Sequence, residues 1–356
     1  MKILSAEVLR EWMARILSSE RTDPAVAAHV VEGLVQTSLR GVDSHGVRLF
    51  PHYVRTLHAG GVNGRPKYRF HRGSPSCGTL DADHTFGHAA GSEAMRYAIQ
   101  MAKETGNGSV AVRHSSHFGA AAYFALQAAE QDMIGMAFTH SDALLLTSGG
   151  RNPYLGPNPI CFAAPCDGEE PFCLDMSCSP FSWNKIRQYR DEKKKLPKGA
   201  AVDGEGHETR DAQIARALLP IGTYKGYGLS MMVEILCSLL TGMAFGKHLL
   251  PMFNVPPAQR RNLGHFFMVI NISGFTPVKD FKSRLKSMVD EIRNEPRFDN
   301  ETPILVPGDP EKNACRERLK SGVPLSAAEW TEFQKLMEDY QLDVRPVKRK
   351  GKAAAR

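Results

Sequence analysis

The chain is poor in cysteine, with seven in 356 residues, an odd number without a regularly spaced framework. That pattern excludes a disulfide-stapled secreted scaffold and points to reduced thiols in a cytoplasmic protein. No apolar run is suited to crossing a bilayer, because the most apolar stretch, 226–246, carries Glu234 at its middle and is punctuated by Ser and Gly. Glu7, Arg10, Glu11 and Arg15 break the N-terminal segment where a secretory peptide needs unbroken apolar sequence. No membrane partner is expected. Neither charge sign dominates: 45 Lys and Arg against 38 Asp and Glu leave a formal +7, too diffuse to nominate nucleic acid. The only basic block, 345–356, lies past the last hydrophobic pattern and reads as a disordered, solvated tail. Also missing are internal repeats and the G-x-G-x-x-G, G-x-x-x-x-G-K-[ST], H-E-x-x-H and G-x-S-x-G motifs. Spacing by itself therefore predicts no dinucleotide site, no helical zinc site and no nucleophile elbow.

What is present is an average globular composition, 42% hydrophobic and 23% charged, on enough chain for one large domain or two to three ordinary ones. Apolar residues at three- and four-residue steps behind Ser5, then behind Asp23-Pro24, then over 47–57, make the opening sixty residues helical. From about Cys77 the texture changes to β-branched and aromatic runs between Gly and Pro, which predicts strands at 109–112, 133–139, 159–164, 172–176 and 265–272. Helices are predicted at 89–104, 120–131 and 229–240, giving a mixed α/β middle. Residues 281–292 read as another amphipathic helix, and Ser326 with Glu329 as a capping box before the last one. The segment 187–211 has no apolar period and reads as an exposed excursion. The two helical ends are expected to pack together beside the middle.

Four segments could carry chemistry. In Asp43-Ser44-His45-Gly46, His45 is placed between helices as a general acid; the bland alternative is a helix cap followed by a surface histidine. A serine-hydrolase reading of Ser44 is weaker, since helical neighbours point apart. In His114-Ser115-Ser116-His117-Phe118-Gly119, a strand runs into a helix whose first N–H groups could hold phosphate; the alternative is a metal pair, His114 and His117, with Asp81 or Asp83. Asp175 ends a strand in apolar company and needs a partner, most cheaply a histidine; the alternative is a helix cap just beyond the strand. Lys225 opens a glycine-flanked helix entry at Gly226-Tyr227-Gly228.

The segments LRGVDSHGVRLFPHYVRTLHAGGVN, RHSSHFGAAAYFA, LDMSCS, LLPIGTYKGYGLSMMVEIL and LGHFFMVI, with a later VPGD, resemble in this order the malate/L-lactate dehydrogenase family of the second type. The resemblance implies a non-Rossmann, mixed-sheet α/β domain over 76–275 that binds NAD or NADP. A helical substrate-side domain would come from 1–75 plus 276–344, and the protein would be a homodimer. It implies hydride transfer between the nicotinamide and a small 2-oxo or 2-hydroxy acid, or a cyclic imino acid, with no metal. His45 would be the proton donor, supported through hydrogen bonds by Ser44 and Asp175. One branch of the family assigns that role to the histidine matching His117, which is otherwise placed at the boundary between cofactor and substrate. Arg48 would clamp the substrate carboxylate, although relatives more often carry the arginine one residue later. His117, Phe118, Gly119, Ala120, Ala121, Ser141, Asp175, Met176, Ser177, Lys225, Pro307, Gly308 and Asp309 would contact the cofactor. His140, Thr223-Tyr224 and Phe181-Ser182-Trp183-Asn184 depart from the family's usual residues. Two alternatives remain: a metal-dependent hydrolase built on His114 and His117, and a non-catalytic nucleotide-binding homologue.

Overall fold

The computed structural model describes residues 2–342; the basic segment 345–356 lies outside them. Strand β1 (Lys2–Leu4) leads into α1 (Ala6–Ser19), α2 (Pro24–Leu39) and, after two short 3-10 turns, α3 (Phe50–His58). The Ser5 hydroxyl caps α1 by accepting from Val8 N–H at 3.3 Å, and Asp23 caps α2 ahead of Pro24. Then follow β2 (Arg69–Ser74), β3 (Cys77–Asp81), α4 (Gly87–Thr105), β4 (Asn107–Ser115), α5 (Ala122–Ala129) and β5 (Met133–Thr139). Short strands β6 (Leu145–Leu146) and β7 (Pro153–Leu155) precede β8 (Ile160–Ala164), β9 (Phe172–Met176) and α6 (Trp183–Asp191). Three two-residue strands, β10 (Ala201–Val202), β11 (Glu208–Thr209) and β12 (Ala217–Leu218), precede α7 (Tyr224–Glu234), which runs on through a π-helical turn, Ile235–Leu239. The chain closes with β13 (Leu263–Asn271), α8 (Val278–Asn294), α9 (Asp309–Ser321), β14 (Val323–Leu325) and α10 (Ala327–Asp339).

The main sheet has seven strands in the order β2-β3-β4-β13-β5-β8-β9. Only β3 and β4 run parallel; every other neighbouring pair is antiparallel. Side-chain alternation along β13 serves both faces. Phe267 and Val269 join the core under α4 and α5, whereas Phe266 packs with Val233 and Cys237 of the α7 segment. A second core joins the chain ends: Leu9, Met13 and Ile16 of α1 and Val30 and Leu34 of α2 pack with Val323, Phe333 and Met337, while β1 pairs with β14.

Residues 187–211 are only in part the exposed excursion that their polarity predicts: 191–195 and most of 204–211 are exposed, but the segment is ordered around buried anchors. They finish α6 and supply β10 and β11 of a five-stranded sheet, with Leu196, Ala200 and Ala201 fully buried. Strand β4 is longer than predicted and takes in His114 and Ser115.

Candidate active site

A cleft of about 1130 Å³ opens among the α2–α3 connection, the strand ends of the main sheet and α6. Its polar wall is built on a braced turn. Asp43 is not a helix cap: Arg318 of α9 donates to both its carboxylate oxygens, at 2.5 and 2.9 Å. Ser38 Oγ accepts Val47 N–H at 2.9 Å, and Gly46 lies so close that an added Cβ would fall 2.0 Å from that oxygen. In this turn the neighbours Ser44 and His45 meet side chain to side chain, with Ser44 Oγ 2.8 Å from His45 Nδ1.

His117 faces His45, their rings stacked at 5.7 Å between centroids. Its Nδ1 lies 2.6 Å from the hydroxyl of buried Tyr53. Each imidazole is thus anchored at Nδ1 by a hydroxyl, and neither Nε2 has a hydrogen-bond partner among the described residues. Burial holds the His45 pKa down to about 4, with Arg48 adding to it, so the ring is neutral at pH 7. Burial likewise lowers His117, followed by the neighbouring His45 and Arg261.

Asp175 does not reach His45. Its Oδ2 accepts Ala122 N–H at 2.8 Å, at the first turn of α5. That carboxylate occupies the place where the sequence suggested a phosphate, since helix N–H groups at this end favour any anion. It is exposed on the cleft wall, and desolvation by the surrounding protein raises its pKa to about 6 despite that N–H bond. Gly119, Ala120, Ala121, Ser141, Met176 and Ser177 also line the cleft. Beneath Ser141, the buried Asn158 accepts its N–H at 2.9 Å and donates to Glu234 at 2.7 Å. Glu234 also accepts Gly246 N–H at 2.7 Å and lies 3.5 Å from His140 Nδ1. The carboxylate that interrupts the apolar stretch 226–246 is therefore a buried anchor. Burial pushes its pKa up, and these partners outweigh that and hold it below the usual range.

The sequence profile of the malate/L-lactate dehydrogenase family matches residues 4–334. A malate dehydrogenase of Pyrococcus abyssi is 37% identical over 353 residues, covering 96% of this chain and 94% of that protein. The chain belongs to this family. A ureidoglycolate dehydrogenase (NAD(+)) of Escherichia coli is 32% identical, covering 90% and 92% of the two chains. Among solved structures, malate dehydrogenase from Entamoeba histolytica superposes with a TM-score of 0.91 at 29% identity, covering 97% and 99%. The Δ1-piperideine-2-carboxylate reductase of Pseudomonas syringae superposes with a TM-score of 0.84 at 28% identity, covering 94% and 100%.

Several residues that the resemblance pointed to lie off the cleft wall. Arg48 turns outward and pairs with Glu329 of α10 at 3.5 Å. Lys225 is exposed on α7 and is not part of the wall. Phe118 is fully buried, its ring stacked 4.8 Å from His265. Pro307 and Gly308 lead into α9 just behind Cys173, and Asp309 is held by Arg293, which donates Nε at 3.0 Å. His114 sits 3.1 Å from Asp81, whereas His117 is tied to Tyr53 in the cleft. Among the described residues no group of three or more His, Cys, Asp or Glu could hold a metal ion. Sequence reasoning missed Tyr53, Asp142, Arg187, Phe253 and Arg261. Tyr53 was within reach, lying in the same matching segment as His45 and buried by the periodicity of α3.

Proposed function

We propose that this cleft reduces a small 2-oxo acid, or a cyclic imino acid, and runs the reverse oxidation, with His45 exchanging the proton at the substrate oxygen or nitrogen. The observation that carries this reading is the pair of stacked, hydroxyl-anchored imidazoles facing one large cleft. Family membership makes the chain an NAD(P)-dependent oxidoreductase, and NAD or NADP supplies or accepts the hydride. The cleft fits such a cofactor: its volume exceeds what a small acid fills, and the 119–121 wall carries nothing larger than methyl groups. Glycine is required at 119, where φ is +77° and a Cβ would lie 2.4 Å from His88 Nε2. Gly119, Ala120, Ala121, Ser141, Met176 and Ser177 would hold the cofactor, on a mixed rather than doubly wound parallel sheet.

His45 then works from the neutral state. In the oxidative direction its free Nε2 takes the hydroxyl proton, and the hydroxyl of Ser44 fixes the ring. In the reductive direction it must first be protonated, which a substrate carboxylate beside it favours by raising its pKa. Mixing the protein with NADH, then NADPH, and a panel of 2-oxo acids and cyclic imines should consume reduced cofactor with at least one substrate; no oxidation across the panel rejects the reading.

We also assign the outer face of α7 to a homodimer contact. Tyr224, Met231, Met232, Ile235, Leu239 and Leu240 are large apolar side chains left exposed there, more than an isolated chain tolerates without cover. Sedimentation should give twice the chain mass, and Met231→Glu with Ile235→Glu should give a monomer. A wild-type monomer defeats the assignment. No described helix is long and apolar enough to cross a membrane. The seven cysteines are unpaired thiols, which suits a reducing cytoplasm.

A further inference from the structure

Four cations line the cleft: Arg40, Arg187, Lys247 and Arg261. Two are neutralised within the protein. Arg40 lies 3.9 Å from Glu170, and Arg261 donates Nη2 to Asp142 and Nε to the Leu250 carbonyl at 3.0 Å. Lys247 is exposed, its ammonium 6.0 Å above the Tyr154 ring. Arg187 is different. It is half-buried, has neither ion pair nor hydrogen bond among the described residues, and rests its guanidinium on Phe253, 5.4 Å from the ring centroid.

The Phe253 ring accepts no classical hydrogen bond, so the N–H groups of Arg187 are left without an acceptor, and a guanidinium edge binds a carboxylate with two parallel hydrogen bonds. Holding this cation half out of water without a partner is unfavourable, and an arriving anion relieves that cost. The arginine is also tied to the reacting groups. Its helix α6 begins at Trp183, itself in the cleft wall, and Asn184 Nδ2 lies 3.5 Å from the Ser44 carbonyl oxygen. Asn184 and Arg187 are three residues apart and therefore share a helix face. On the other side, Phe253 meets the His52 ring at 5.0 Å, and His52 neighbours Tyr53, the anchor of His117. Arg187 is thus connected by α6 to the His45 turn and by Phe253 to the His117 support.

We infer that Arg187, not Arg48, receives the carboxylate of the substrate. The inference rests on the proposed 2-oxo acid chemistry for its ligand but not for its anion site. A planar fork in the same cleft wall as His45, on the helix whose Asn184 meets the Ser44 carbonyl, holds the acid by one end, so that the neighbouring carbonyl or hydroxyl is presented to the histidine pair. Lysine in its place would keep the charge and lose the two-bond geometry.

The test is calorimetric titration of oxalate, an unreactive small carboxylate, into the whole enzyme with NADH or NADPH present, alongside 2-oxo acid kinetics. Arg187→Ala and Arg187→Gln should weaken oxalate roughly 10- to 100-fold and raise KM by a similar factor, with cofactor affinity and kcat changed far less. Arg187→Lys should fall between, and Lys185→Ala on the solvent side of α6 should match wild type. The glutamine variant keeps a stem over Phe253 and so separates lost anion binding from lost packing. Unchanged oxalate binding in both Arg187→Ala and Arg187→Gln overturns the inference, as does a larger loss in Arg48→Ala. Oxalate binding that depends on Arg187 in an enzyme that reduces no 2-oxo acid leaves the anion site standing and rejects the reaction; turnover with normal KM in Arg187→Ala does the reverse.

Discussion

His45→Ala should lower turnover by a factor on the order of 10² to 10⁴ while cofactor affinity stays nearly unchanged. The ring lies in the cleft with Ser44 on Nδ1, so truncation removes the proton-transfer group without touching the small-residue wall at 119–121. The pH dependence follows from the pKa of about 4 that burial imposes. Hydroxy-acid oxidation needs the neutral ring, so its kcat/KM should rise through that pKa and level off above it. Reduction needs the protonated ring, and its kcat/KM should fall as pH increases past the same point. His117→Ala should instead raise substrate KM or cofactor Kd more than it slows the chemical step. Single-turnover measurements at saturating cofactor decide between the two histidines: a fast step without His45 and an abolished one without His117 exchanges their roles.

The second large effect is on stability. His88 and His265 are fully buried, and burial lowers both to about 3. His265 is satisfied, Nδ1 2.7 Å from Thr139 Oγ1 and Nε2 2.8 Å from Ser115 Oγ, whereas His88 has no partner at either nitrogen among the described residues. As pH falls below about 6.5, the unfolded chain takes up protons on these rings that the folded chain refuses, so unfolding becomes more favourable. The loss continues down to the folded pKa values near 3 and levels off below them. By pH 5, before most carboxylates protonate, the two rings together should cost on the order of 4 kcal/mol. Melting temperatures at pH 7 and pH 5 measure the effect, and His88→Leu should recover part of the drop. A midpoint that does not move between those pH values contradicts the assignment.

The family and the pairing of His45 with Ser44 were legible because both are written in contiguous sequence. Asp43-Ser44-His45-Gly46 needs only its own 3-10 turn to join Ser44 to His45, and the helix caps at Ser5, Asp23 and Ser326 are likewise local. Less legible was 187–211, whose polarity conceals a sheet assembled from strands only two residues long, too short for a period-two pattern to register.

What the sequence by itself determined is the helical ends, the mixed α/β middle, the family, and the residues His45, Ser44 and His117 as neighbours of one chemistry. What only the tertiary structure decided is which charged side chains face that chemistry. Asp175 could have supported a histidine, yet the first turn of α5 presents its N–H group closer and takes the carboxylate. Arg48 could have clamped a substrate, yet Glu329, 281 positions away, draws it outward. Arg187, in a segment that read as solvent-exposed, rests against Phe253 in the cleft instead. A charged side chain several bonds long can reach more than one partner, and local sequence does not record which partner folding brings within 3 to 4 Å.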